Sequence, residues 1–501
     1  MVVVVLVVVV LVVVVVVGGV GGGAHAVAHS PTIDITAATN SRRLIPSTPD
    51  SAWGHGEHRS ARVSTVLPVA RRAAAPHTGD VLRRWARTEL TVEAFPWRRT
   101  RRTAEHRVHL RAELRERDGV KPLELFFDLV FVIAFTQCTA LMADDLSWLG
   151  LVRGVVLLAV VWWAWVGFAW LTSLVDPEEG AVRIVMLLVM VALLMVSFSI
   201  PQAFGRNAIW FAVAYGFVRL GHITLFVLGS REDAALRRWV IGLAASTAVV
   251  VLLLVAASFA APGLQLALWC AVIAVDWGFP ARFGVDRWRI VPGHMAERHN
   301  LIIILALGES VIALGVGARV DLDPTVALVG ALGLGLASAL WWIYFDIVAI
   351  VTARRLELAA PGRERNRLAR DSYSYLHFPM VAGIVLSALA FEEAVPHGTE
   401  PLAAVPATAL CGGTALYLLA HVALRLRNAG TINVERLVVA IVLLVLIPVA
   451  TTIDAVWALA VVDVLLWAMI TFETLWVYDD NRFRLRHDLD ADIPQRGDHG
   501  T

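Results

Sequence analysis

The chain has 501 residues, 58% of them hydrophobic and 17% charged, with a formal net charge of +1 and a mean hydropathy of +0.69. This is too apolar for a soluble domain and places the chain in the membrane class, while its near-neutral charge gives no ground for binding nucleic acid. Cys138, Cys270 and Cys411 all fall in apolar runs without CxxC or histidine spacing, so neither a disulfide framework nor a thiolate metal site is expected.

The opening run MVVVVLVVVVLVVVVVV is long enough for a signal core but has no basic residue before it. An upstream start or low-complexity drift is one explanation for it and a signal anchor the other; an anchor would carry the following arginines across the membrane, against the charge pattern described below. Residues 1–118 beyond that run are rich in Arg, Ala, His, Pro and Thr with little apolar periodicity, and read as a disordered basic arm.

From Leu123 the pattern changes to apolar runs of helix length, each able to cross a hydrocarbon layer of about 30 Å. Twelve spans are expected, near 123–143, 151–173, 182–200, 207–228, 238–258, 264–283, 300–318, 325–350, 376–394, 403–424, 436–453 and 455–477, with a polar tail over 479–501. The fold class is therefore all-α, a polytopic helical bundle. Arginines such as Arg183, Arg237, Arg238, Arg298, Arg354 and Arg425 fall in the even-numbered connections, whereas the odd-numbered ones hold Arg153, Arg206 and Arg319. That asymmetry predicts cytoplasmic termini.

Laying the first six spans on the last six gives matches in order: Glu124 with Glu297, Trp162 and Trp163 with Trp341 and Trp342, Pro201 with Pro396, His222 with His421. The series suggests a parallel duplication, with halves 119–290 and 291–478 and a pseudo-twofold axis along the membrane normal. A binding site or pathway is then expected where the halves meet.

Three stretches resemble the bacterial low temperature requirement A family: LELFFDLVFVIAFTQ at 123–137, ERHNLIIILALGESVIALG at 297–315 and YLHFPMVAGIVLSALAFEEAV at 375–395. The resemblance covers about 120–478 and implies a polytopic bacterial membrane protein linked to growth in the cold, with no catalytic residues to carry over. FFDLVFVIAFT, from Phe126 to Thr136, also resembles the first helix of the lysosomal-type potassium channel family. It departs from that pattern at Phe127 and Leu129, and Leu301 stands where a second aspartate would fall.

A charge at mid-membrane costs about 2.5–3.5 kcal/mol on insertion scales, so such residues face the bundle interior and seek partners. Glu124 and Asp128 share one helical face, with Glu124 expected at the cytoplasmic interface and Asp128 one turn deeper. Glu309 is expected near the ninth residue of its span and is the deepest acid, with Gly308 and Gly315 letting a neighbour or solute approach. Arg219 needs an acid, and Asp128, Asp276 and Glu309 are the candidates. His222, His377 and His421 are expected as neutral imidazoles bonded between helices, or as a proton relay. Asp346, Asp463 and Glu473 are weaker candidates, like Glu124 and Glu297. Trp162, Trp163, Trp165 and Trp170 read as interface anchors and packing.

No HExxH, GxSxG, P-loop or dinucleotide motif occurs in a usable context, so no enzyme, cofactor or metal is expected. The expectation is a transporter of a small solute or ion with a polar interior lined by Asp128, Glu309, Arg219 and His222. A passive cation channel and a membrane enzyme or structural protein without transport are the alternatives. The oligomeric state is left open.

Overall fold

A computed structural model of the protein describes residues 119–477, apart from 179, 231–233, 284–287 and 319–320. The poly-valine run, the arginine-rich arm and the tail at 479–501 lie outside the described residues.

Among the described residues twelve helices follow one another: α1 (Pro122–Asp144), α2 (Trp148–Leu174), α3 (Gly180–Ser199, extended by a 3-10 turn to Gln202), α4 (Ala208–Gly229), α5 (Ala234–Ser258) and α6 (Pro262–Phe283). Then come α7 (Pro292–Gly317), α8 (Pro324–Ile343, continuing to Leu358), α9 (Arg363–Leu368, continuing through His377–Ala394), α10 (Ala404–Ala429), α11 (Val434–Ala450) and α12 (Ala455–Phe472, with a last turn to Val477). Connections of three to nine residues join them. No strand forms among the described residues, and an isolated bridge pairs Pro401 with Asp454 between two connections. Eleven of the helices are long and apolar enough to cross a membrane. The twelfth, α11, has 17 residues, the short limit for a span.

Local chemistry sets the boundaries. Proline opens α1, α6, α7 and α8, where its missing N–H costs nothing. Ser147 and Asp323 cap α2 and α8 by accepting from the backbone N–H groups of Gly150 and Val326 at 3.1 and 2.8 Å. Gly430, at φ 69°, ends α10 in the left-handed conformation.

Three of the expected spans prove longer. The seventh begins at Pro292 rather than near 300, the eighth runs to Leu358 and the ninth starts at Arg363. Hydropathy misses these turns because they carry charged side chains, some paired inside the bundle, as Arg298 is, and others exposed, as Arg355 and Glu357 are. π-helical turns interrupt α8 at Tyr344–Val348, α9 at Ala369–Tyr375 and α12 at Glu473–Val477, a distortion common at functional sites.

The core is built around α2 and α9. The apolar window of α9 is wholly buried and that of α2 is 89% buried, against 33% for α6. Trp162, Trp163, Trp165 and Trp170 of α2 are therefore not interface anchors as expected, though the packing role holds. Trp162 and Trp170 donate to the Ser374 carbonyl and hydroxyl at 2.9 and 2.8 Å, crossing from α2 to α9. Trp341 and Trp342 on α8 are exposed, the position a lipid-facing indole takes.

Close helix approach occurs where α9 crosses α10. A Cβ on Gly383 would stand 2.6 Å from the Gly413 carbonyl oxygen, and one on Gly413 would stand 2.7 Å from Leu386 Cβ. Gly308 and Gly315, expected to serve that purpose on α7, have nothing within 4 Å of a built Cβ.

Candidate functional site

α1 and α7 pack side by side, and charged residues meet across their seam. Asp128 is the seventh residue of α1 and Arg298 the seventh of α7; Glu124 and His294 are each the third. Arg298 donates to Asp128 Oδ1 at 2.7 Å and to Glu124 Oε1 at 3.1 Å, and His294 Nε2 lies 2.8 Å from the same glutamate oxygen. The Trp165 indole donates to Asp128 Oδ1 at 2.8 Å, and Arg298 stacks over that ring at 5.7 Å. Glu124, Asp128, His294 and Arg298 are all fully buried.

One expectation changes here. Glu124, in the first turn of α1, is a buried member of the cluster and also caps α1 by accepting from Lys121 N at 2.8 Å. Arg298 was assigned to a loop as a topology signal; it lies inside α7 and is the partner Asp128 requires. Pairing lets a guanidinium sit where an unpaired one would be expelled. Glu297, next to it, is exposed and accepts from Val120 N at 3.1 Å, so the residue matched to Glu124 in sequence has a different environment.

Further along the same seam stands Glu309, 1% exposed. It is the eighteenth residue of α7 rather than the ninth, so it lies beyond the helix midpoint. Thr136 of α1 shares a short hydrogen bond with Glu309 Oε2, and its hydroxyl is also 3.1 Å from the Val132 carbonyl. Thr139 faces the same carboxyl, and Glu392 of α9 is close enough to interact with it electrostatically. Among the described residues no arginine, lysine or histidine pairs with Glu309. Thr136 and Thr139 escaped the sequence reading because single threonines in an apolar helix carry no distinguishing spacing.

Arg219 takes Asp276, one of its three candidates. The contact joins α4 to α6 at 2.7 Å, Thr247 accepts a second hydrogen bond at 3.0 Å, and the Tyr215 hydroxyl donates to the other Asp276 oxygen at 3.3 Å. One turn on, His222 packs against Gly167 of α2 and neither ring nitrogen has a hydrogen-bond partner. Asp128, Glu309 and the Arg219 and His222 pair thus occupy three places rather than one lining.

Of the three histidines expected between helices, His377 bonds across, through Nε2 to the Tyr344 hydroxyl at 2.9 Å, with Nδ1 on Ser372 O. His421 Nδ1 bonds within its own helix to Tyr417 O at 2.8 Å. His299, unflagged by sequence, links the seam cluster to these, its ring 4.8 Å from Trp165 and 5.2 Å from His377. Glu473 holds Arg436 in a bidentate pair, both contacts 2.9 Å, and Asp346 lines a small cleft beside it. Asp463 sits against Gly335, half-buried.

A family model for the bacterial low temperature requirement A protein matches residues 119–471, which take in all the helices above but the end of α12. The chain belongs to the bacterial low temperature requirement A family. It is also similar to an uncharacterised protein of Rhizobium meliloti (strain 1021), 29% identical over 332 residues that cover 63% of this chain and 79% of that one. No solved structure matches. With the family and the helices together, the protein is a multi-pass integral membrane protein.

Proposed function

We propose that this member of the low temperature requirement A family moves protons or a small cation across the membrane along the α1 and α7 seam, with Glu309 as the group that loads and unloads. The observation that carries the reading is the contrast along one seam. Asp128 and Glu124 share Arg298, with His294 beside Glu124, whereas Glu309 is also buried and, among the described residues, has hydroxyl company without a cation. A buried carboxylate in that position needs a proton or a bound cation.

Thr136 gives the site two states. A hydroxyl has one proton, and both Val132 O and Glu309 Oε2 are within its reach. With Glu309 protonated, the acid donates to Thr136 and the threonine donates to Val132. With Glu309 ionised, the threonine turns its proton to the carboxylate. Uptake and release of a proton therefore cost one hydroxyl rotation.

The duplication expected from sequence belongs to the same proposal, and recurring packing supports it. In each half the first helix packs on the second and third, the third on the fourth, the fourth on the fifth, the fifth on the sixth, and the sixth on the second. We place the pseudo-axis between α1 and α7, with both termini cytoplasmic from the arginine asymmetry.

Reconstituted protein in liposomes with an inward proton gradient tests the reading. Wild type is expected to acidify the lumen, and Glu309→Gln to slow this at least about a hundredfold at equal incorporation, the lower end of what loss of a proton-transfer group costs. Equal rates in the two would return Glu309 to a packing role. The alternative of a passive cation channel, favoured by Asp128 and its FFDLVFVIAFT helix lining this seam, would appear as current under a cation gradient without a lumenal pH change. A membrane enzyme or structural protein would give neither.

A further inference from the structure

A cavity of about 50 Å³ lies among α2, α4, α5, α6 and α9, with Trp288 of the connection after α6 on its wall. With about 30 Å³ as the share of one water in the liquid, it has room for roughly one or two water-sized bodies. Two guanidiniums line it, Arg219 and Arg370, together with His222, Trp170, Ser374 and the Gly167 backbone. Trp163, Trp239 and Phe226 supply the apolar remainder.

The wall holds more donors than the protein uses. Arg219 Nε, the Trp288 indole nitrogen and both ring nitrogens of His222 have no hydrogen-bond partner. These side chains are 2, 5 and 3% exposed respectively, and buried polar groups are rarely left unmade in folded proteins. A neutral imidazole supplies one further N–H and one acceptor, so the surplus is mainly of donors.

Charge is also in surplus. Arg219 is balanced by Asp276 at 2.7 Å. Arg370 shares Asp371 with Arg427, at 2.7 and 2.9 Å, so that two guanidiniums have one carboxylate between them. Counting Arg219, Arg370 and Arg427 against Asp276 and Asp371, the described ion pairs at and behind this wall carry one positive charge in excess, Arg427 itself standing off the wall.

We propose that this cavity binds a small monovalent anion of the size of chloride or nitrate, held by Arg219, His222 and Trp288. The volume excludes a metabolite with an extended carbon skeleton, and the positive excess opposes a cation. Water alone would satisfy the donors but leave the charge. Among anions, the indole and phenyl walls favour those that shed their hydration readily, as monovalent ions of low charge density do. This site is separate from the α1 and α7 seam, so its failure would leave the role of Glu309 standing, and the reverse.

The test uses the purified full chain in detergent, in gluconate buffer at constant ionic strength. Bromide is titrated while intrinsic tryptophan fluorescence is followed, since Trp163, Trp170, Trp239 and Trp288 surround the cavity. The expected result is quenching with a saturable component that chloride displaces and sulfate does not, and a melting temperature that rises with chloride. At a chloride concentration of 100 times its dissociation constant, the folded to unfolded ratio should rise about a hundredfold.

Two variants address the cavity. Gly167→Ala would place a Cβ 2.9 Å from His222 Nε2 and Cε1, driving the ring into the space. His222→Phe removes both nitrogens and keeps an aromatic ring, and decides the matter if Gly167→Ala fails to fold. Both are expected to lose the saturable component. Linear quenching in wild type, saturation retained in His222→Phe, or displacement by sulfate as effective as by chloride would each overturn the proposal.

Discussion

Replacing Arg298 by Met is the most severe single change this architecture predicts. The guanidinium is shared by Glu124 and Asp128 at 3.1 and 2.7 Å, and all three side chains are fully buried. Its loss leaves two buried carboxylates one helical turn apart without their shared cation, with His294 and the Lys121 N–H still on Glu124 and the Trp165 N–H on Asp128. Breaking a buried pair in this way costs about 3–5 kcal/mol. At about 1.4 kcal/mol per factor of ten, that is a loss of more than a hundredfold in the folded to unfolded ratio. Neutralising the whole cluster should restore most of it, because desolvation of the charges is then avoided. The combination Glu124→Gln, Asp128→Asn and Arg298→Met is expected within about 2 kcal/mol of wild type. Equilibrium unfolding in mixed detergent micelles, followed by helical circular dichroism, measures both. An Arg298→Met protein within about 0.5 kcal/mol of wild type, the range of an ordinary surface substitution, would refute the pairing argument. So would a neutral triple variant no more stable than the single one.

Asp276→Asn should also destabilise by about 3 kcal/mol in the same assay, because it strands Arg219 among Thr247 and Tyr215 without an anion, at 2% exposure. The glycines divide into two classes. Gly383→Ala would push a methyl within 2.6 Å of the Gly413 carbonyl and should cost about 1–3 kcal/mol, whereas Gly308→Ala and Gly315→Ala meet open space and should be neutral or stabilising by up to about 1 kcal/mol. Equal effects at Gly383 and Gly308 would sink the assignment of close approach to the α9 and α10 crossing.

The number of helices was legible in the sequence because a span is set by length and apolarity, two quantities that composition reports directly. Which residues a helix hides was less legible. Arg298 has the charge and position of a loop arginine, and the partners that draw it into α7 lie 170 and 174 residues away on α1. Arg219 carried its own signal, an arginine mid-span that must find an acid, and the remaining choice among three acids was a question of helix adjacency that one sequence does not encode. The tryptophans of α2 failed for a related reason. An indole at a membrane interface and one in a core have the same hydropathy, and the hydrogen bonds to Ser374 and Asp128 decide between them. Thr136 and Thr139 were missed outright, since a threonine inside an apolar helix usually bonds its own backbone, as both also do here.

Counting from the prolines that open α1 and α7 gives the duplication reading a physical edge. Glu124 stands level with His294, Asp128 with Arg298, and Thr139 with Glu309. Two identical parallel helices packed about a twofold axis would set like against like at each level, and two buried acids opposite one another repel. A duplicated chain escapes this because its halves can diverge: one half keeps the acids, the other supplies the cations. At the level of Asp128 the second half carries Arg298, a positive group facing the acid, whereas Leu301, the place of the second aspartate in the sequence match, lies further along α7. The same logic explains why Glu309 can remain uncompensated. Opposite it the first half offers the hydroxyls of Thr136 and Thr139 rather than a second carboxylate, and the acid near it, Glu392, stands on α9 instead of on the facing helix.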